Sequence, residues 1–281
     1  MAELVLTLGV PHTPLLWQAM TEPPPPDLVE VASSFGHFRQ VLAQAQPDML
    51  VLIGSDHLRS IVTANMPAFM VGKGESHRGT VPSEARAFGL PRVTVPGHPS
   101  LAREILGQPQ LNDRIDFAFS DEMWLDHSFV VPLLYLRPEL DLPVVPIHTN
   151  TNAPPIPTAT RFLALGRYLR QTILEWQVPE RVAVIGSGHV AFELGGPRQF
   201  SGRSPDPAFD SEVVTALVAA DTTALVELGG YQRMHAAGNL TFQFLNFLAC
   251  YAAAGEVPAT SAVTVPSRFG DEPFFRWGGE G

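Results

Sequence analysis

Three histidines in this chain stand directly behind short apolar runs. Leu4–Val10 (LVLTLGV) leads into Pro11-His12, Met49–Ser55 (MLVLIGS) into Asp56-His57, and Arg181–Gly188 (RVAVIGSG) into His189. A fourth, His148, closes the run LPVVPIH. Neutral imidazole is the commonest protein ligand for a metal ion. Two imidazoles and a carboxylate on one face, with positions left open, is the ligand set that holds non-heme Fe(II) for oxygen chemistry. Taken singly, each of these histidines reads equally well as a strand cap or a partner for a loop carbonyl. The joint placement of His12 and His57 points to a shared cation. Of the nine histidines, His37 and His235 have no such context and read as structural or exposed. His77 falls in a loop-rich stretch, and His98, in Pro-Gly-His-Pro-Ser, reads as part of a helix start.

The apolar runs are β-branched and end abruptly, which is the pattern of buried strands. Between them lie helical patterns over 27–44, 158–175, 209–227 and 241–254. Strand and helix alternate, so the expected fold is α/β: a mainly parallel central sheet covered by helices. In such sheets ligands bind outside the carboxyl ends of the strands. That edge is where His12, His57, His148 and His189 fall. The middle is less regular. Residues 61–71 read as a strand or hairpin arm, 72–95 as a loop-rich segment able to act as a lid, and 120–136 as a loop running into a helix. Ser100 is the expected cap of a helix opened by PGHPSLAREIL. The tail after Pro266 shows no regular pattern. Neither a repeat nor a linker is visible, so residues 1–281 are expected to form one domain.

Composition narrows the function classes. The formal net charge is −10 and no run of Lys or Arg occurs, which speaks against a nucleic-acid partner and for a small organic one. No stretch approaches the roughly 18 apolar residues of a membrane span. Cys250 is the single cysteine, so no intrachain disulfide can form, in keeping with a reducing compartment. The start MAELVLTLGVPHTP lacks a basic leader region. A cytoplasmic location without membrane contact is therefore expected. Charged residues make up 16% of the chain, below the usual quarter, and a subunit interface (a homo-oligomer or a small partner subunit) is one expected reason.

Several ordered pieces carry a resemblance. They are Val10-Pro11-His12-Thr13-Pro14, Ser55-Asp56-His57, Gly97-His98-Pro99, Leu125-Asp126-His127 with Val131-Pro132-Leu133, the Pro154-Pro155 turn, Gly186-Ser187-Gly188, and Leu194-Gly195-Gly196-Pro197-Arg198. In this order the chain resembles the class III extradiol ring-cleavage dioxygenases, of the protocatechuate 4,5-dioxygenase β-subunit type, from the first strand to about Gly255.

The resemblance implies an Fe(II) site, or a site for another divalent metal, held by His12, His57 and a late-helix glutamate whose position is Gln243 here. It implies His127 as an active-site histidine. It places a further catalytic histidine at Phe192. Both departures leave alternatives: Glu193 could supply the missing carboxylate and His189 the missing proton acceptor. Asp56 is expected either to orient a ligand imidazole or simply to cap its turn, and Thr13 and Ser187 either to bond substrate or to cap loops. The implied reaction is cleavage of a catechol or aminophenol by O2, for which the protein must supply a base and then an acid. Histidine suits both tasks, His127 first and His189 second. Two other functions stay open on the same scaffold: a non-oxidative metal hydrolase or lyase, and a non-catalytic partner subunit. Arg59, Arg198 and Arg203 are candidate anchors for a substrate carboxylate.

Overall fold

A computed structural model describes residues 1–59, 61–107, 115–199 and 201–279. The strands are β1 (Glu3–Val10), β2 (Met49–Gly54), β3 (Phe69–Gly72), β4 (Ser76–Gly79), β5 (Val93–Pro96), β6 (Ala118–Ser120), β7 (Trp124–Leu125), β8 (Val144–Thr149), β9 (Arg181–Ser187), β10 (Ser261–Ser267) and β11 (Gly270–Gly278). The α-helices are α1 (Val29–Ala45), α2 (Pro82–Phe88), α3 (Pro99–Leu106), α4 (His127–Leu136), α5 (Ala159–Glu175), α6 (Pro207–Ala219), α7 (Thr222–Leu228), α8 (Tyr231–Ala237) and α9 (Leu245–Ala253).

Eight strands form one sheet in the order β10-β11-β1-β9-β2-β8-β3-β6. The centre, β1-β9-β2-β8, is parallel throughout. These strands are buried on both faces, and their side chains alternate between two cores. Met49, Val51 and Ile53 enter one core, with Phe162 of α5 and Phe247 of α9. Leu50 and Leu52 enter the other, with Phe35 of α1 and Phe129 of α4. That two-sided burial is why the runs read as continuously apolar. On α1, Val31, Phe35, Phe38, Val41, Leu42 and Ala45 are buried, a helical spacing that turns one stripe to the sheet.

Several sequence expectations need correction. The tail is regular: β10 and β11 form an antiparallel hairpin, and β11 pairs antiparallel with β1. Its strands carry Pro266, Gly270 and Pro273, which mask strand periodicity. The stretch 209–227 is two helices, broken where Ala220 takes a left-handed conformation (φ 52°) and Asp221 caps α7. In 241–254 the first four residues form a 3-10 turn before α9. Only Phe69 onward is strand in 61–71. The segment 72–95 is built structure rather than loose lid: β4 pairs with β5 and β7 in a separate three-stranded sheet, and α2 sits between β4 and β5 in sequence. The cap of α3 is His98, whose Nδ1 accepts from Leu101 N–H at 3.1 Å, and not Ser100.

Helices α5 and α9 cross at Gly166, where an added Cβ would lie 2.1 Å from Ala249 O and 2.7 Å from Ala252 Cβ. Backbone cannot yield as a flexible side chain can, so Gly166→Ala should separate the two helices and cost about 1–3 kcal/mol. Urea unfolding measures this; an unchanged midpoint would show that the close crossing is dispensable.

Candidate metal centre

Because β1, β2, β8 and β9 run parallel, their carboxyl ends lie along one edge, and the residues that follow them meet there. His12 is fully buried. Its Nδ1 lies 2.7 Å from Ser187 Oγ at the end of β9, and that hydroxyl donates to Ser128 O at 2.5 Å. A hydroxyl has one proton. With it committed to a carbonyl, Ser187 can only accept from His12, so Nδ1 carries the hydrogen and Nε2 keeps a lone pair. His57 is fixed by Asp126, whose Oδ2 accepts from the His57 backbone N–H at 2.7 Å and from Nδ1 at 2.9 Å. His127 repeats the pattern at the start of α4. Glu84, fully buried on α2, accepts the backbone N–H at 2.8 Å and Nδ1 at 2.7 Å. Ionised carboxylates only accept, so the ring Nε2 of both residues is again the lone-pair nitrogen.

The three rings converge. The His12 centroid lies 5.3 Å from that of His57 and 5.6 Å from that of His127. His57 and His127 stack at 4.1 Å. One ring nitrogen from each lies within 4.8 Å of the others. Gln243, buried in the 3-10 turn before α9, donates an amide N–H to His57 Nε2 at 2.8 Å. Its Oε1 and the Nε2 of His12 are buried with no hydrogen-bond partner. Each such orphan costs roughly 1–3 kcal/mol. His12 Nε2 and Gln243 Oε1 are thus acceptors without a proton to meet, which fits a cation, and a metal there would take up the His57 Nε2 lone pair that the Gln243 amide now meets.

The supports reach well beyond these residues. Asn246, one turn along from Gln243, donates to Ser187 O at 2.8 Å and Ser55 Oγ at 3.1 Å and accepts from Thr149 Oγ1 at 2.7 Å. It thus ties the ends of β9, β2 and β8 to α9. Gly188 lets the chain pass close under Gln243, since a Cβ there would lie 2.5 Å from Gln243 O.

Burial shapes the charge. His12 is held well below the usual imidazole range by burial, and by His189, His57 and His127. His189 is lowered in the same way, by burial and then by His57 and His127. Burial also opposes charge on His127, but Asp126 and Glu84 outweigh it and its pKa is raised. Asp126 resists ionisation through burial, yet His57, His127 and its hydrogen bonds hold it below the usual carboxylate range.

The other sequence candidates fall as follows. His189 is buried with its ring 4.4 Å from His12, and Phe192 stacks on it at 4.1 Å and 13°. Both line a cavity of about 460 Å³ together with Thr13, His57 and His127. Ser187 is fully buried behind His12 and bonds that ring. Asp56 accepts from Arg59 N–H at 2.8 Å and Ile61 N–H at 3.1 Å. It shapes its turn, and the carboxylate on the His57 ring is that of Asp126. Glu193 is bound by Arg198 through its side chain and backbone N–H, so its carboxylate is committed on the loop rather than aimed at the histidines. His148 accepts from Asp56 N–H at 3.1 Å, and burial pushes it down to about 4.

Sequence reading passed over Glu84, Asn246 and the role of Asp126. Asp126 is the immediate neighbour of His127 and could have been found from that. Glu84 sits in a stretch without periodicity and left no signal.

Removing a buttress should loosen the site. Asp126→Asn and Ser187→Ala are each expected to weaken metal affinity about 10–100-fold, measured by competition with a chelator of known affinity. Unchanged affinity in both would show that the buttresses do not serve a metal. A second expectation concerns pH. Burial pushes Glu272, which accepts from Ser267 and Thr13, up to about 8, and Asp210, which accepts from Ala191 N–H, up to about 7. The folded chain therefore holds protons that the unfolded chain has already released above about pH 4.5. Above the ordinary histidine range, where the depressed histidines are neutral in the folded and the unfolded chain alike, stability should fall as pH rises from about 7 to 9, and Glu272→Gln should flatten part of that fall in thermal unfolding.

Comparison with known proteins adds to this geometry. A family model described as the catalytic LigB subunit of aromatic ring-opening dioxygenase matches residues 6–268. A 2,3-dihydroxyphenylpropionate/2,3-dihydroxicinnamic acid 1,2-dioxygenase of Klebsiella pneumoniae subsp. pneumoniae is 33% identical over 187 residues, 65% of this chain and 54% of that protein. One with the same name from a Rhodococcus species is 28% identical over 242 residues, 80% of this chain and 73% of that one. The match thus spans about half the length of the Klebsiella protein and nearly three quarters of the Rhodococcus one. An uncharacterized Escherichia coli K12 protein of known crystal structure shares the fold, with a TM-score of 0.64 at 18% identity over 98% of this chain and all of that one. Since the family model covers nearly the whole chain, the protein belongs to the LigB family of ring-opening dioxygenase catalytic subunits.

Proposed function

We propose that this protein is an Fe(II)-dependent extradiol dioxygenase that opens a catechol-type or aminophenol-type ring with O2. The observation that carries this reading is the meeting of His12, His57 and Gln243 beside a cavity that His57 lines together with four Leu and three Phe side chains. Apolar walls with a few converging polar groups suit a small aromatic ligand.

In this reading His12 and His57 hold the metal through Nε2, and Gln243 through its carboxamide oxygen. Bound iron supplies the electronic link between the diol and O2. The chain's own groups then manage protons. His127 has Nδ1–H fixed on Glu84, so its other ring nitrogen is free to take a phenolic proton. Asp126 and Glu84 hold the imidazolium so formed, and the proton can be returned as the ring opens. His189, kept neutral by burial, is the second acceptor. Phe192 covers it with a phenyl ring that excludes water and does not titrate.

A second reading has one observation in its favour. Gln243 is neutral where the resemblance places a carboxylate, and a metal held by neutral ligands keeps more net positive charge, as suits a non-oxidative hydrolase or lyase.

Oxygen uptake by Fe(II)-loaded protein with a panel of catechols separates the two. Ring-cleavage product with matching oxygen consumption is expected, and metal-dependent turnover without oxygen consumption would favour the second reading. His12→Ala should abolish metal binding. His127→Ala should keep the metal and lower kcat about 10²–10⁴-fold. Metal content untouched by His12→Ala would remove the assignment.

A further inference from the structure

The two ends of a carboxamide are not equivalent toward a cation. The oxygen offers lone pairs, and the nitrogen offers only hydrogens. Gln243 can therefore serve the candidate metal centre only if it is held oxygen-first. A carboxylate would need no such holding, since both of its ends are oxygens.

The surroundings of Gln243 decide which end goes where. Its Nε2 lies 2.8 Å from His57 Nε2 and 3.4 Å from Asn152 Oδ1. His57 Nε2 is an acceptor, because Nδ1 carries the hydrogen given to Asp126. Asn152 Oδ1 is an acceptor too. Its amide is fixed from the other end, where Nδ2 donates to the Asp56 backbone carbonyl at 2.8 Å, and a carbonyl can only accept. Two acceptors thus face one end of Gln243, and that end is the NH2. The opposite end, Oε1, has no hydrogen-bond partner, and neither has His12 Nε2. The carboxamide favours charge on the His12 ring, the sign expected of an oxygen turned to it.

A cation shared by His12, His57 and Gln243 would take the His57 lone pair, and the Gln243 NH2 would lose its shorter hydrogen bond. Among the described residues Asn152 Oδ1 is then the one acceptor left to it. Asn152 is braced for that task. Its backbone N–H donates to Asn150 Oδ1 at 3.3 Å, and the same oxygen accepts from Ala153 N–H at 3.1 Å. Asn150 Nδ2 closes the turn on Ala153 O at 2.7 Å. Thr151 donates to Ser55 Oγ, just past β2, at 2.8 Å.

We propose that Asn152 is a positioning residue for the third metal ligand: it holds the Gln243 NH2 and so turns Oε1 to the cation. The proposal rests on the assignment of His12, His57 and Gln243 to the metal. The role exists because position 243 is a glutamine, and a glutamate there would abolish it.

The test measures Fe(II) affinity without oxygen, by competition with a chelator of known affinity. Asn152→Ala is compared in the natural chain and in Gln243→Glu. It is expected to weaken binding about 10–100-fold in the natural chain, the range typical of groups that orient a ligand, and less than threefold in Gln243→Glu. Asn152→Asp keeps an acceptor oxygen and loses the donor to Asp56 O, so it should bind within threefold of the natural chain or more tightly. A merely structural role in the turn would instead show as equal losses in both backgrounds, or as a loss in Asn152→Asp as large as in Asn152→Ala. Either result, or no loss in Asn152→Ala, overturns the proposal and leaves the metal site standing. Failure of the natural chain to bind Fe(II) would overturn the metal assignment and the proposal with it.

Discussion

Three imidazoles of the site, those of His12, His57 and His127, are each pinned from behind by a group that can only accept a hydrogen. For His57 it is Asp126, for His127 it is Glu84, and for His12 it is a hydroxyl whose own proton is spent on a carbonyl. This single constraint fixes the tautomer of all three rings, and with it the side on which each offers a lone pair. It also explains why two carboxylates tolerate near-complete burial. Asp126 accepts from the His57 backbone and ring and from the Ser128 backbone and hydroxyl. Glu84 accepts from the backbone and ring of His127 and pairs with Arg59. Buried charge without such partners would be expelled or neutralised.

The pinning groups come from parts of the chain remote from the rings they hold. Ser187 follows His12 by 175 residues and Glu84 precedes His127 by 43. Only the parallel centre of the sheet can bring the ends of β1, β2, β8 and β9 to one edge, and Asn246 then bolts three of those ends to α9. The small sheet of β4, β5 and β7 has a parallel task, since α2 between β4 and β5 delivers Glu84. Gly79 on β4 lies so close to Val130 of α4 that a Cβ would come within 2.7 Å of Val130 Cγ2. What looks in sequence like a loose cover is thus packed against the helix that begins with His127.

The parts of this arrangement that were legible in sequence are those written in local pattern. The four central strands announce themselves because burial on both faces leaves no polar alternation, and the histidines behind them follow from strand direction alone. The hairpin of β10 and β11 was hidden because proline and glycine interrupt its periodicity. Glu84 was hidden for a different reason: its significance lies wholly in a contact across the fold, and an isolated glutamate in a polar stretch carries no trace of that. Sequence left two readings open for Asp56, a ligand-orienting carboxylate or a turn cap, and its hydrogen bonds to Arg59 and Ile61 N–H are those of the turn cap.

The charge balance of the site follows from the same geometry. His12, His57 and Gln243 are all neutral donors, so a divalent cation among them would keep its full charge in the first ring of contacts. The compensating charges stand one residue farther out, on Asp126 behind His57 and on Glu84 behind His127. Moving a negative charge outward weakens its direct pull on the metal but lets it act through an imidazole, raising the basicity of the ring it bonds. Glutamate at position 243 would place that charge at a bound metal, whereas glutamine leaves it to the two outer carboxylates, Asp126 on the His57 ring and Glu84 on the His127 ring. The Phe192 phenyl ring stacks on His189, whose pKa is held low by burial, His57 and His127, while Asp126 and Glu84 raise that of His127.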